Sequence, residues 1–154
     1  MEYWDSKLVR EQLDRKLKKL SVLLLPETPE RSWIRLVREA LGMSGKELGE
    51  RVGLDQSRIS RLESAEPAGD VKLSTLRKIA DGFEMKFVYG FVPKTGLENM
   101  VREQAKKIAR ERMEKASHTM LLEAQELSDE EKARMFDDLV QKILIEQPNG
   151  FWSR

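Results

Sequence analysis

Five polar side chains fall within six residues, at Gln56, Ser57, Arg58, Ser60 and Arg61. A carboxamide offers a donor and an acceptor side by side, which matches the edge of adenine. A guanidinium offers parallel donors, which match guanine. A serine hydroxyl suits a base edge or a phosphate. This is the chemistry of recognition rather than of bond making. The chain has no cysteine and one histidine, His118, so a thiolate zinc site is excluded and a histidine metal site is not expected. No phosphate loop or nucleophile–base pair is legible. The expectation is therefore no enzyme activity, no cofactor and no metal, with His118 read as helix surface.

The elements around these residues must present them outward. Ile59 and Leu62, three apart, form the inward face of a helix that Asp55 caps. Before it, Ser44 and Glu47 form a capping box for another helix, with Leu48 and Val52 inward. Gly49 stands where the second helix must approach closely, Gly53 where the chain needs a positive φ, and Leu54 plugs the turn. This is helix-turn-helix spacing, in which the start of the second helix enters the major groove of duplex DNA. Gln56, Ser57, Arg58, Ser60 and Arg61 then face the bases. Ser44, Lys46 and the first-turn amides of the preceding helix face phosphate.

Periodicity organises the rest. Val9, Leu13, Leu17, Leu20 and Leu24 mark one face of a helix over residues 2–25. Thr28 with Pro29 predicts the start of a helix running to about Leu41, with Trp33, Ile34, Val37, Ala40 and Leu41 inward and Gly42 at its end. Ser74 is the expected cap of a helix from Thr75 to Gly82. "KFVYGFVP", 86–93, alternates Phe87, Tyr89 and Phe91 against Val88 and Val92, and predicts a strand ending at Pro93. A lone strand leaves its backbone groups unpaired, so these five residues are expected to pair with a second copy as a two-stranded antiparallel ribbon. A long helical stripe runs from Leu97 to Met120. Ser128 and Glu131 open a last helix that buries Phe136, Leu139, Val140, Ile143 and Leu144, and "QPNGFWSR" reads as a frayed tail. Trp4, Trp33 and Trp152 read as packing anchors.

The stretch "LGMSGKELGERVGLDQSRISRLESAE…VKLSTLRKIADGFEMKFVYGFVP" resembles the Cro/CI-type (XRE) helix-turn-helix family over residues 31–92. The resemblance implies a lambda-repressor-like five-helix domain, operator binding as a dimer on an inverted repeat, and a core-holding role for Glu63. The fuller chain, through "FVYGFVP", "LENMVREQAKKIA" and "TMLLEAQ", is similar to the mobile mystery protein A family. That likeness implies a transcriptional autorepressor paired with a Fic-domain toxin. Fic inhibitors carry a Ser/Thr and a Glu four residues apart on a helix, followed by Gly or Asn. Thr119 and Glu123 match, whereas Ala124 departs from the pattern.

The expected fold is mainly α: an N-terminal amphipathic helix (1–26), a helix-turn-helix domain (27–85), a dimerisation strand (86–93) and a C-terminal helical region (94–154). Residues 1–96 carry 18 Lys/Arg against 15 Asp/Glu, and residues 97–147 carry 9 against 12, so the cationic excess sits with the DNA-binding half. The opening residues hold no apolar signal core and no apolar run is long enough to span a bilayer, which makes a cytoplasmic location the expectation. The competing reading is a protein-interaction adaptor or antitoxin whose helix-turn-helix does not read DNA.

Overall fold

The computed structural model describes residues 2–24, 31–116 and 118–153, with His118, Leu121 and Ala124 by backbone alone. Among them the chain forms α-helices, one 3-10 helix and no strand. It divides into two units. One spans residues 23–90, and the other joins residues 1–22 to residues 91–154.

The first unit holds α2 (Trp33–Ala40), α3 (Gly45–Val52), α4 (Gln56–Ala65) and α5 (Leu73–Gly82). Its core is Ile34, Leu48, Val52, Ile59, Leu62 and Ile79, with Met43, Leu54, Val71, Leu76 and Phe83 packed against it. Among the described residues of this unit four helices stand where the family likeness implies five. Thr28 and Pro29 lie outside the described residues, but α2 itself begins later than they predict. Ser32 is its N-cap, accepting from the Arg35 N–H at 3.2 Å. Glu66, at the end of α4, accepts from the Ser32 hydroxyl and from the N–H groups of Trp33 (3.2 Å) and Ile34 (3.0 Å). A carboxylate at a helix N-terminus satisfies donors that the helix cannot, so these bonds tie α2 to α4. Arg38 makes the second tie. Its Nε donates to Glu63 at 2.7 Å and its Nη1 to the Met43 carbonyl at 2.8 Å. Helix α5 starts at Leu73 with Lys72 as N-cap and no side-chain cap, so Ser74 is inside the helix and not its cap.

The second unit packs α6 (Leu97–Glu114) along α8 (Asp129–Glu146), with α1 (Tyr3–Lys18) against both. Val101, Ala105, Ile108 and Ala109 meet Val140, Ile143, Leu144 and Phe151 in its core. The 3-10 helix Lys19–Leu23 follows α1, and α7 (His118–Gln125) precedes α8. The stripe expected to be continuous to Met120 is two helices, since α6 ends with Lys115 as its C-cap and Met120 is exposed on α7. The tail is not frayed: Phe151 is buried, and its carbonyl accepts from Gln104 Nε2 at 2.5 Å.

Helix α1 docks by a face that hydrophobic periodicity misses. Val9, Leu13 and Leu24 are exposed, while Arg10 and Asp14 are half-buried. The N-cap of α6 is Gly96, which has no capping side chain, and Asp14 supplies the cap instead by accepting from the Leu97 N–H at 2.8 Å. Arg10 pairs with Glu98 at 2.9 Å in the same turn. Of the expected apolar face only Leu17 and Leu20 are half-buried, and the paired Arg10 and Asp14 stand inward in place of Val9 and Leu13. Trp4, Trp33 and Trp152 are all mostly exposed, so none is a buried anchor.

The strand expected over 86–93 is not formed. Strand structure is pairing, and no described segment pairs with this one. Val88, Tyr89 and Phe91 are exposed, and Phe87 and Val92 half-buried. The period-two alternation survives locally, because the Phe87 and Tyr89 rings stack at 6.1 Å and so share a side.

Candidate nucleic-acid interface

The start of α3 is built by its capping box. Ser44 Oγ accepts from the Glu47 N–H at 3.2 Å, and Glu47 Oε2 accepts from the Ser44 N–H at 2.6 Å. The helix stops at Gly53 in the left-handed region at φ 70°. A Cβ built on Gly49 would collide with the Leu54 carbonyl oxygen, so only glycine admits the returning chain here. Leu54 N–H closes the turn onto the Gly49 carbonyl at 2.8 Å.

Helix α4 begins against that turn. Asp55 Oδ1 accepts from the Arg58 N–H at 2.7 Å and from the Ser57 hydroxyl at 2.8 Å. Ile59 and Leu62 are buried, and Gln56, Ser57, Arg58, Ser60 and Arg61 are all exposed. Among the described residues neither Arg58 nor Arg61 forms an ion pair with a carboxylate. Neither is held by a carboxylate at contact distance, although Arg61 acts on Asp55 from further off, whereas Arg38 and Arg51 of the same unit are ion-paired with Glu63 and Glu84.

Sequence reasoning missed Gly45. The position of a Cβ on it lies 3.5 Å from Gln56 Cγ, so the first turn of α3 rests beside the first residue of α4. Ser44 and Lys46, which flank that glycine, and Gln56 are all exposed. A glycine directly after a capping serine was the available signal. Lys46 lies 3.9 Å from Glu50, with both side chains largely exposed, a pairing weak enough to yield to a phosphate. Ser57 stands differently from its expectation: its hydroxyl proton is given to Asp55, so in this rotamer it accepts but does not donate. Thr119 and Glu123 lie on α7 and are both exposed.

Each of the two helix starts that shape the surface is held by a carboxylate, Glu47 in the capping box of α3 and Asp55 as the N-cap of α4. Hydrogen bonding to Ser44 holds Glu47 below the usual carboxylate range, and the Arg58 N–H followed by the Ser57 hydroxyl does the same for Asp55. A carboxylate whose folded pKa is depressed contributes stability above its unfolded pKa of about 4 and loses it as pH falls through the folded value. The first turns of α3 and α4 should therefore loosen below about pH 4. Amide exchange at Glu47 and Arg58, followed from pH 6 to pH 3, checks this, and Glu47→Gln with Asp55→Asn should flatten the response.

Among the described residues no cluster of three or more His, Asp or Glu side chains is arranged to hold a metal ion. No helix among them is long and apolar enough to cross a membrane.

Residues 34–89 match the family model described as Helix-turn-helix, an XRE-type DNA-binding domain. The matched span runs from the second residue of α2 through α5 and stops short of Gly90. No curated protein and no solved structure gives a significant match.

Proposed function

With an XRE-type helix-turn-helix domain at residues 34–89 as the premise, we propose that this protein is a sequence-specific transcriptional regulator of the cytoplasm, a dimeric repressor of its own promoter acting on an inverted repeat. One observation carries the reading: the exposed Gln56, Ser57 and Arg58 at the start of α4 share a surface with the first turn of α3. Gln56 and Arg58 read base edges, Ser60 and Arg61 line the groove wall, and Ser44, Lys46 and the α3 amides hold phosphate. Residues 86–92 support the dimer, since two copies can satisfy each other's unpaired backbone. Resemblance to the mobile mystery protein A family supports antitoxin character toward a Fic-domain partner, with Thr119 and Glu123 on α7 as the inhibitory pair.

Titration of the protein on its own promoter and on random duplex, at 50 and 200 mM salt, tests the DNA-binding reading. The promoter should be preferred by roughly 10³-fold or more, affinity should fall steeply with salt, and protected half-sites should lie about 34 Å apart or a multiple of that. Equal affinity for both duplexes would overturn it and leave the adaptor reading.

A further inference from the structure

The helix-turn-helix unit carries an apolar groove of about 510 Å³, lined by Trp33, Val37, Leu76, Phe83, Phe87 and Val88 among others. Two charged groups border it. The Glu66 carboxylate is already committed to the start of α2, and Lys86 stands on the adjoining segment. A polar small molecule would find little to orient it there, so the groove suits an apolar side chain.

The segment that forms one wall of the groove also limits how a second copy can pair with it. Met85 gives its N–H to the Ala80 carbonyl at 2.8 Å, and Pro93 has none to give. The free donors are those of residues 86–92, and Tyr89 is their midpoint. An antiparallel ladder centred there pairs Phe87 with Phe91, Val88 with Gly90, and Tyr89 with itself. A slip of one residue would set the aromatic face against the opposite face. A slip of two would pair either Met85 or Pro93, neither with a free donor, with a residue of the aromatic face.

We propose that residues 86–92 of two copies pair about Tyr89, and that the Phe91 of each copy enters the groove of the other. Directly opposed side chains stand about 4.5–5.5 Å apart at Cβ. Phe87 lines the groove, so the residue opposite it arrives at the groove's mouth. Phe91 is 86 % exposed in the single chain and is an apolar side chain that needs a cover. The inference rests on the dimeric reading above and adds its register and its anchor.

The native chain has no cysteine, so single-cysteine variants report cleanly. In the DNA-free full-length protein, Tyr89→Cys should form a disulfide-linked dimer faster than Val88→Cys or Gly90→Cys, whose like residues are not opposed. Phe91→Ala should weaken the dimer by about tenfold or more in sedimentation, as expected for a buried aromatic anchor, with far-UV circular dichroism unchanged. A photo-crosslinker placed at position 91 should label Trp33–Val37 or Leu76–Phe87 of the other copy. A dimer unaffected by Phe91→Ala, or one crosslinked elsewhere, overturns this inference and leaves the dimer standing. A chain that stays monomeric at about 100 μM overturns both, since a regulator with micromolar or tighter self-association would be paired at that concentration.

Discussion

Arg38→Met should destabilise the helix-turn-helix unit by about 3–5 kcal/mol, although Arg38 touches no expected DNA contact. The side chains of Arg38 and Glu63 are only 15 % and 11 % exposed, and the guanidinium makes two bonds to the carboxylate and one to the Met43 carbonyl. Removing the cation leaves a part-buried carboxylate without its ion-pair partner. The cost is the desolvation of that charge rather than the modest net worth of the pair. Replacing both partners, as in Arg38→Met with Glu63→Leu, should recover most of the loss, because no buried charge then remains. A domain's whole stability is about 5–15 kcal/mol, so the single change removes a large part of it. Urea unfolding followed by Trp33 fluorescence measures it. Trp4→Phe and Trp152→Phe, both at exposed tryptophans of the other unit, confine the signal to the unit of interest. A loss under about 1 kcal/mol, the ordinary value of an exposed ion pair, would show that the pair is no keystone.

Arg58→Ala should weaken operator binding by about 1–3 kcal/mol, roughly 5- to 150-fold, and should relax preference at one base pair only. Its backbone N–H is fixed by Asp55, which sets where the side chain leaves the helix, while the guanidinium is exposed and outside any ion pair among the described residues. Removing a bidentate hydrogen bond to a G·C pair leaves the number of neutralised phosphates, and with it the salt slope, essentially unchanged. Lys46→Ala should behave otherwise, lowering affinity uniformly across sequences and reducing the salt slope by about one. Binding of each variant to the operator and to a set of single-base-pair changes separates the two patterns. If Arg58→Ala lowers affinity equally for every site, Arg58 holds phosphate and the base reader must be sought in Gln56 or Arg61.

The two effects differ in what made them visible. Asp55, Ser44, Glu47, Gly49 and Gly53 act within a few residues of themselves, by caps, turns and a close approach, and each stands as its local spacing requires. Ile59 and Leu62 follow from helical period alone, and with them the outward course of Gln56 and Arg58. The partner of Glu63 lies 25 residues away on α2, and the Asp14 cap of α6 lies 83 residues from Leu97. No periodicity encodes such pairings.

What the amino-acid order determined alone was the helix-turn-helix and the set of side chains that it shows to solvent, because short-range sterics and hydrogen bonding dictate both. Tertiary structure decided the rest. It turned Arg10 and Asp14 of α1 inward in place of Val9 and Leu13, since a glycine-capped helix needed a distant carboxylate. It buried Phe151 of the tail, which completes the core formed by α6 and α8. It left residues 86–93 without a sheet, because β-structure is a property of two segments and no second one pairs with them among the described residues.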